Sequence, residues 1–316
     1  MSLGALPVDV ESAHVEVREV FIPGYGAPRP TSVLILRGRG HAGCGEHVGW
    51  TRDVHDAFLA WSKNHVWPRC VRDLALDEPH RRAAVEGALL DLAMKQAGRS
   101  LSAGSASLRY AMSFEATRDP AARARAVLLH SPDTRFKVDV HPDWSDAELA
   151  ALAQLGCVDV LDGKGRGDRA LWHRVRDRFP TTMLEDAPVE LPGPRALDQT
   201  LLSLDDVRRA LDDGAWVNVK APRMGGWLVA LEALELGHDR AYVGGMFEVG
   251  PGRAQARAIA ALLCPDAPND LAPLHVDPTV AAVAPSPLTI ALDRPGFGYF
   301  ISSSDTATPT NESAQP

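Results

Sequence analysis

Four short apolar runs between residues 158 and 226 each end on a charged side chain and then break into glycine, proline or polar residues. They are Val158-Asp159-Val160-Leu161-Asp162, Met183-Leu184-Glu185, Ala196-Leu197-Asp198 and Val217-Asn218-Val219-Lys220. A strand buried in a parallel sheet reads as such a run, and a charged side chain at its end can face a site. Three of the ends carry carboxylates, and three carboxylate oxygens suit a hard cation such as Mg2+. The fourth carries Lys220, and a lysine beside such a cation can serve as a proton-transfer base.

The surrounding chain extends this pattern. Strands are expected at residues 108–112, 135–140, 158–161, 182–184, near Asp198, at 216–219, 241–245 and 270–272. Helices are expected between them at 120–129, 145–155, 169–178, 204–211, 228–236 and 254–263, with Ser145 and Glu148 forming a capping box. Eight such units argue for a closed barrel of parallel strands. Asp162 and Glu185 are 23 residues apart, and Asp198 and Lys220 are 22 apart. Glu185 and Asp198 are only 13 apart, with Pro192, Gly193 and Pro194 between them. No helix fits there, so the one between strands 4 and 5 is expected to be missing or reduced to a turn.

The N-terminal third reads differently. Residues 13–50 look like antiparallel strands, at 14–22 and 32–37, with the glycine-rich run 38–45 as a turn. A helix is expected from Asp77 and Pro79 to Gly98, with Ala84, Ala88, Leu89, Leu92 and Ala93 as its apolar stripe. The expected fold is therefore a (β/α)8-type (modified TIM) barrel with an N-terminal α+β capping domain. The cap would span 1–105, completed by part of 285–301. The barrel would span 106–284, and the polar tail 302–316 reads as disordered. A formal net charge of −8, with no basic stripe, argues against a nucleic-acid partner. No apolar run approaches the ~18 residues of a membrane span, and no signal peptide is evident, so a cytoplasmic protein is expected. Cys44, Cys70, Cys157 and Cys264 are scattered without metal spacing.

Catalysis in a barrel sits at the C-terminal ends of the strands, which selects Asp162, Glu185 and Asp198 as metal ligands and Lys220 as a base. Asp139 is a reserve ligand, and Asp186 should point away from Glu185 or cap a turn. Lys137 shares its strand face with Arg135 and Asp139, either as a second base or in an ion pair. Lys164, two residues past Asp162, is the runner-up second base. Gly245 and Glu248, in the glycine-rich run 244–252, are candidate substrate contacts or turn residues. His47 and Trp50 would touch substrate if the cap lids the barrel. Closure would use the segments 23–30 and 46–51. The run Gly163-Lys164-Gly165-Arg166-Gly167 lacks the ending of a phosphate loop.

Over residues 13–300 the chain resembles the enolase superfamily, in its muconate-lactonizing, mandelate racemase and o-succinylbenzoate synthase branches. Gly43-Cys44-Gly45-Glu46 is similar to its capping hairpin, and residues 82–98 to its capping helix. Leu184-Glu185-Asp186-Ala187-Pro188 and Ala196-Leu197-Asp198-Gln199 resemble its fourth- and fifth-strand ligands. Asn218-Val219-Lys220-Ala221-Pro222-Arg223-Met224-Gly225-Gly226 resembles its sixth-strand lysine motif, and Pro295-Gly296-Phe297-Gly298 the return toward the cap. The usual second-strand Lys-x-Lys reads here as Arg135-Phe136-Lys137 or Lys137-Val138-Asp139, and the third strand gives Asp162-Gly163-Lys164. The resemblance implies an isomerase or lyase that takes the proton α to the carboxylate of a small substrate, with Mg2+ stabilising the enediolate. It also implies a homo-oligomer. Two facing bases permit racemization or epimerization; one base with a cationic partner permits elimination or cycloisomerization. Two other readings stand beside it: a lyase in which Lys220 forms a Schiff base, and a barrel that binds a ligand without turnover.

Overall fold

Alternating polar and apolar residues from Ser12 onward form β1 (Ser12–Phe21), which pairs antiparallel with β2 (Pro28–Gly38). This computed structural model describes residues 3–21, 28–272 and 286–299. Most of the expected lid segment 23–30 and all of the tail 302–316 lie outside the described residues. β2 pairs in turn with β3 (His41–His47), so the glycine-rich run is strand and the turn shrinks to Arg39 and Gly40. Helix packing explains the glycines. A Cβ at Gly45 would lie 1.8 Å from the Ala84 carbonyl oxygen, so glycine lets the helix α2 (Pro79–Gln96) lie directly on the strand. Glu78, not Asp77, caps α2, with Pro79 in its first turn. Before it comes α1 (Arg52–Ser62), which the sequence pattern does not announce. Its buried face is His55, Phe58 and Ser62, too polar to register as an apolar stripe.

The expected first barrel strand divides in two. β4 (Ser105–Leu108) pairs antiparallel with β12 (Leu288–Ala291) from the end of the chain, and β5 (Ala111–Phe114) opens the barrel. The apolar run straddles a corner, where Arg109 donates its N–H to the Pro265 carbonyl at 2.8 Å. Then follow α3 (Pro120–Leu128), β6 (Arg135–Asp139), α4 (Asp146–Ala153), β7 (Val158–Asp162), α5 (Arg169–Arg178), β8 (Met183–Glu185), β9 (Arg195–Leu197), α6 (Leu204–Asp212), β10 (Trp216–Val219), α7 (Ala221–Met224), α8 (Trp227–Gly237), β11 (Ala241–Val243) and α9 (Pro251–Leu263). The capping box at Ser145 and Glu148 is present at the start of α4. No helix joins β8 to β9; Ala187, Val189 and Leu191 pack there instead.

β5 to β11 form one parallel sheet in sequence order. The eighth position is closed by two residues rather than a strand: Asn269 bridges Tyr110, and Asp270 bridges Gly244. The Asn269 side chain completes the closure. It accepts the Val243 N–H at 2.8 Å and donates to the carbonyls of Cys264 and Arg109 at 2.8 and 3.2 Å. Below the strand ends, Val160, Met183, Ala196 and Tyr242 fill the barrel interior. Burial of Val160 and of Met183 contributes roughly 1.5–3 kcal/mol each, so the floor of the site is firm. No helix among the described residues is long and apolar enough to cross a membrane.

The cap is held to the barrel by carboxylates. Glu46, at the end of β3, accepts the N–H groups of Val249, Gly250 and Gly252 at 2.8, 2.9 and 3.1 Å, at the start of α9. Glu86 of α2 accepts the Leu228 N–H at 3.1 Å in the first turn of α8. Helix N-termini favour negative charge and leave these donors open. Asp91 of α2 accepts Phe297 N–H and Cys44 N–H, both at 3.0 Å, tying the returning chain to the cap.

Candidate active site

The strand ends bring the charged residues to one mouth. Asp162 ends β7 and Glu185 ends β8, paired in register, and both are fully buried. Asp198 follows β9 and Lys220 follows β10. Lys137, inside β6, points into the barrel with its ammonium 2.5 Å from Glu185, 3.0 Å from Asp162 and 3.5 Å from Asp270. Lys220 donates to Asp198 at 2.7 Å, and Arg223 bonds the same carboxylate. Lys164 bonds Asp162 and comes within 3.5 Å of Asp139. In an eight-membered ring, β6 and β10 hold the second and sixth places, so Lys137 and Lys220 approach from opposite sides. Lys137 is enclosed, its side chain 1% exposed, whereas that of Lys164 is 31% exposed.

Asp186 is turned by its backbone. Its φ is +46°, in the left-handed region, and its carboxylate accepts the N–H groups of Asp198 and Gln199, both at 3.0 Å. It thus caps the turn after β9 and still places an oxygen within 4.8 Å of oxygens of Asp162 and Glu185. Lys164 (φ +50°) and Phe247 (φ +64°) share this backbone region, each just past a strand end. Such strain persists where surrounding structure holds it, often at functional sites. Gly244 gives Lys220 its room: a Cβ there would lie 2.5 Å from the lysine Cε and 2.2 Å from Asn218 Oδ1.

Four participants escaped sequence reading. Tyr242 of β11 donates its hydroxyl to Glu185 Oε2, and Asn218 of β10 donates to Glu185 Oε1 at 3.2 Å. Asp270 reaches Lys137, and Arg223 reaches Asp198. Carrying the strand-end rule to the eighth position would have found Asp270. Period-two alternation back from Gly244 would have found Tyr242.

The cap-side candidates have partners of their own. His47 is buried against Phe58, its Nε2 3.7 Å from Glu78. Trp50 is exposed, with the Arg29 guanidinium stacked 4.2 Å above its ring and Phe247 edge-on at 6.0 Å. Arg29 also donates to the Met246 carbonyl at 2.8 Å, which fixes the 46–51 segment against the barrel loop. Glu248 is buried, accepting the Met246 N–H at 2.9 Å with Arg253 beside it, and Gly245 backs onto the Arg253 guanidinium.

Charge is not balanced at the mouth. Six carboxylates (Asp139, Asp162, Glu185, Asp186, Asp198, Asp270) face four cations (Lys137, Lys164, Lys220, Arg223). Burial pushes the Glu185 carboxyl up to about 8; Lys137 opposes the rise and Asp162 and Asp198 add to it. Asp139 is likewise pushed up to about 6 by burial, against the pull of Lys164. Burial also opposes the Asp162 charge, but Lys137 and Lys164 hold this carboxyl below the usual range. Burial disfavours the Lys137 ammonium, yet Glu185, Asp162 and Asp270 outweigh it and hold the group well above the ordinary lysine range. The all-oxygen donor set and the excess of negative charge fit a hard divalent cation. Asn218 Oδ1 is buried there without a hydrogen-bond partner.

Residues 105–277 match the family described as Domain of unknown function (DUF8230) C-terminal domain. Three curated relatives carry the name o-succinylbenzoate synthase. That of Bacillus subtilis (strain 168) is 39% identical over 80 residues, covering 24% of this chain and 22% of the relative. That of Geobacillus kaustophilus is 29% identical over 209 residues, covering 57% and 56%. That of Geobacillus stearothermophilus is 24% identical over 320 residues, covering 86% and 85%. The chain thus spans about half or less of the first two relatives. Among solved structures, a mandelate racemase/muconate lactonizing protein from Herpetosiphon aurantiacus superposes with a TM-score of 0.74 at 18% identity, covering 94% of this chain and 100% of the other. A probable mandelate racemase from Alicyclobacillus acidocaldarius superposes at 0.72 with 19% identity, covering 93% and 94%. These structural likenesses are of fold.

Proposed function

Because the chain belongs to the family described as Domain of unknown function (DUF8230) C-terminal domain, and is a divergent member of the enolase superfamily, we propose that it is an isomerase or lyase that takes the proton α to the carboxylate of a small substrate. The observation that carries this reading is the ring of strand ends that sets Lys220, after β10, across a buried carboxylate cluster from Lys137 on β6 and Lys164 after β7. Lys220 is the proton acceptor. Gly244 leaves space around it, and its partner Asp198 sits on the mouth rather than below it. Lys137 is enclosed by three carboxylates, which supports a holding role. Lys164, the more open lysine, is then the group that faces Lys220 from the other side. Arg223 keeps part of its side chain accessible and would neutralise the substrate carboxylate.

Asp162, Glu185 and Asp198 would hold a divalent cation, one from each of three successive strand ends. Asp186, whose two oxygens are taken by backbone N–H groups, braces Asp198. Mg2+ would supply positive charge where negative charge builds on the substrate carboxylate. The residues exclude water from below through the apolar layer of Val160, Met183 and Ala196.

The test is exchange of the α-proton in deuterated buffer, followed by NMR over a panel of carboxylates with Mg2+ present. Lys220→Ala should slow exchange by about 10²–10⁴-fold while leaving Mg2+ binding nearly intact. Exchange by Lys220→Ala at the wild-type rate would remove the assignment. Lys164→Ala and Lys137→Ala sharpen it: loss of exchange from one enantiomer alone in either variant identifies a second base, and hence a racemase or epimerase.

A further inference from the structure

We propose that Tyr242, together with Asn218, is a positioning residue that leaves Glu185 a single oxygen to offer a cation, and so makes the centre select Mg2+ over Ca2+. The proposal rests on the reading of Asp162, Glu185 and Asp198 as metal carboxylates.

Tyr242 and Asn218 are register partners on the neighbouring parallel strands β11 and β10. They therefore point to the same side and reach the same carboxylate from one direction. Tyr242 donates its hydroxyl to Oε2 of Glu185. Asn218 donates to Oε1 at 3.2 Å, and Lys137 donates to the same oxygen at 2.5 Å. Ionised, as holding a cation requires, the Glu185 carboxylate offers about four lone-pair positions. Three are occupied by buried donors, and the position left lies on Oε2.

The hydroxyl has no packing reason to be there. The rest of its layer is Val160, Met183 and Ala196, and a phenyl ring would fill the same volume. The oxygen of Tyr242 exists to bond Glu185. All three donors are buried, so a grip by both carboxylate oxygens would strip at least one of them of its acceptor with no water to replace it. Ca2+ takes six to eight oxygens and commonly uses carboxylates bidentately, whereas Mg2+ accepts one oxygen per carboxylate and fills its octahedron with waters. The arrangement penalises the first mode and is compatible with the second. Outer partners of this kind fix the orientation and basicity of a metal ligand.

The experiment titrates Mg2+ and Ca2+ separately into the full chain by calorimetry, for the wild type and for Tyr242→Phe. The variant should lose at least about 10-fold in the ratio of Mg2+ to Ca2+ affinity. A merely structural hydroxyl would lower the thermal midpoint and leave that ratio alone. An unchanged ratio in a variant with the wild-type circular dichroism spectrum overturns the proposal. If Tyr242→Phe does not fold, Asn218→Ser is titrated instead; a shift of the same sign supports the proposal and an unchanged ratio overturns it. Asp162→Asn separates the two levels. If the wild type binds Mg2+, Asp162→Asn does not, and Tyr242→Phe keeps the wild-type ratio, only the role of Tyr242 falls. If neither the wild type nor Asp162→Asn binds Mg2+, the metal reading and the proposal fall together.

Discussion

Two groups of buried carboxylates answer to different partners. At the seam between cap and barrel, Glu46, Glu86 and Asp91 accept backbone N–H groups of Val249, Gly250, Gly252, Leu228, Cys44 and Phe297, and among the described residues only Glu86 and Asp91 add a cation, Arg82 and Lys95 of their own helix, each at 2.8 Å. At the barrel mouth, Asp162, Glu185 and Asp198 are met mainly by lysine and arginine side chains. A backbone N–H cannot leave without moving the helix, strand or turn that carries it. The ammonium groups of Lys164 and Lys220, on four-carbon stems at the mouth, can swing away and surrender their carboxylates to another cation, whereas Lys137 is enclosed. The seam is therefore built to stay shut, and the mouth is built to exchange partners. Asp186 belongs with the seam in kind, since its donors are backbone, although it lies within reach of the mouth.

The sharpest way to break this contrast is at Glu46. Glu46→Ala orphans three backbone donors and should cost about 3 kcal/mol of stability in urea unfolding, with the Mg2+ affinity of the folded protein unchanged. A Glu46 variant that lost metal affinity and kept its stability would merge the two groups. Glu185→Gln should do the reverse. Its Mg2+ affinity should fall by about 10–100-fold, or about 1.4–2.7 kcal/mol, with a smaller change in the urea midpoint. The neutral amide avoids the burial that pushes the Glu185 carboxyl up to about 8. The smallest effect is expected at Glu78, a half-exposed carboxylate of the fixed-donor kind that caps α2. Glu78→Ala should cost ~1 kcal/mol at pH 7. Although burial opposes it, the His47 ring 3.7 Å away and bonds from the N–H groups of Arg81 and His80 hold the Glu78 carboxyl down to about 2, against an ordinary 4.5. A folded-state value below the unfolded one contributes stability above about pH 4.5 that is lost as pH falls through about 2. The difference between wild type and Glu78→Ala should therefore be present at pH 7 and gone by pH 2. A difference that grows toward low pH would contradict the capping role.

The repeat of strand ends carries most of what can be read from the chain alone. Helical periodicity marks α3 to α6, α8 and α9, and short apolar runs mark β6 to β11, because burial dictates both locally; the single turn of α7 carries no such mark. The 13-residue gap between Glu185 and Asp198, with its three prolines, excludes a helix by backbone chemistry. Placement of Asp162, Glu185, Asp198 and Lys220 at strand ends follows from the same arithmetic. Other features have no local signature. Helix α1 buries a histidine and a serine, so its stripe is invisible until its neighbours are in place. The glycines at 43 and 45 look like a turn, and only the approach of α2 shows that they are a strand under a helix. Asn269 replaces a strand with one amide because three carbonyls and an N–H happen to converge on it, a convergence no window of sequence contains.

The sequence by itself determined the periodicities, the breaks and the chemical types at each strand end, because these depend on neighbours a few residues away. Tertiary structure alone decided the pairings. Lys137 lies beneath the carboxylates because β6 pairs with β7 so that Lys137 is level with Val160, one pleat below Asp162, while Lys164 follows the strand end. Tyr242 and Asn218 meet on Glu185 because β10 and β11 align those two residues across strands 24 positions apart in the chain. Distances between side chains remote in sequence are set by strand register and barrel closure, and neither quantity is written in any single segment.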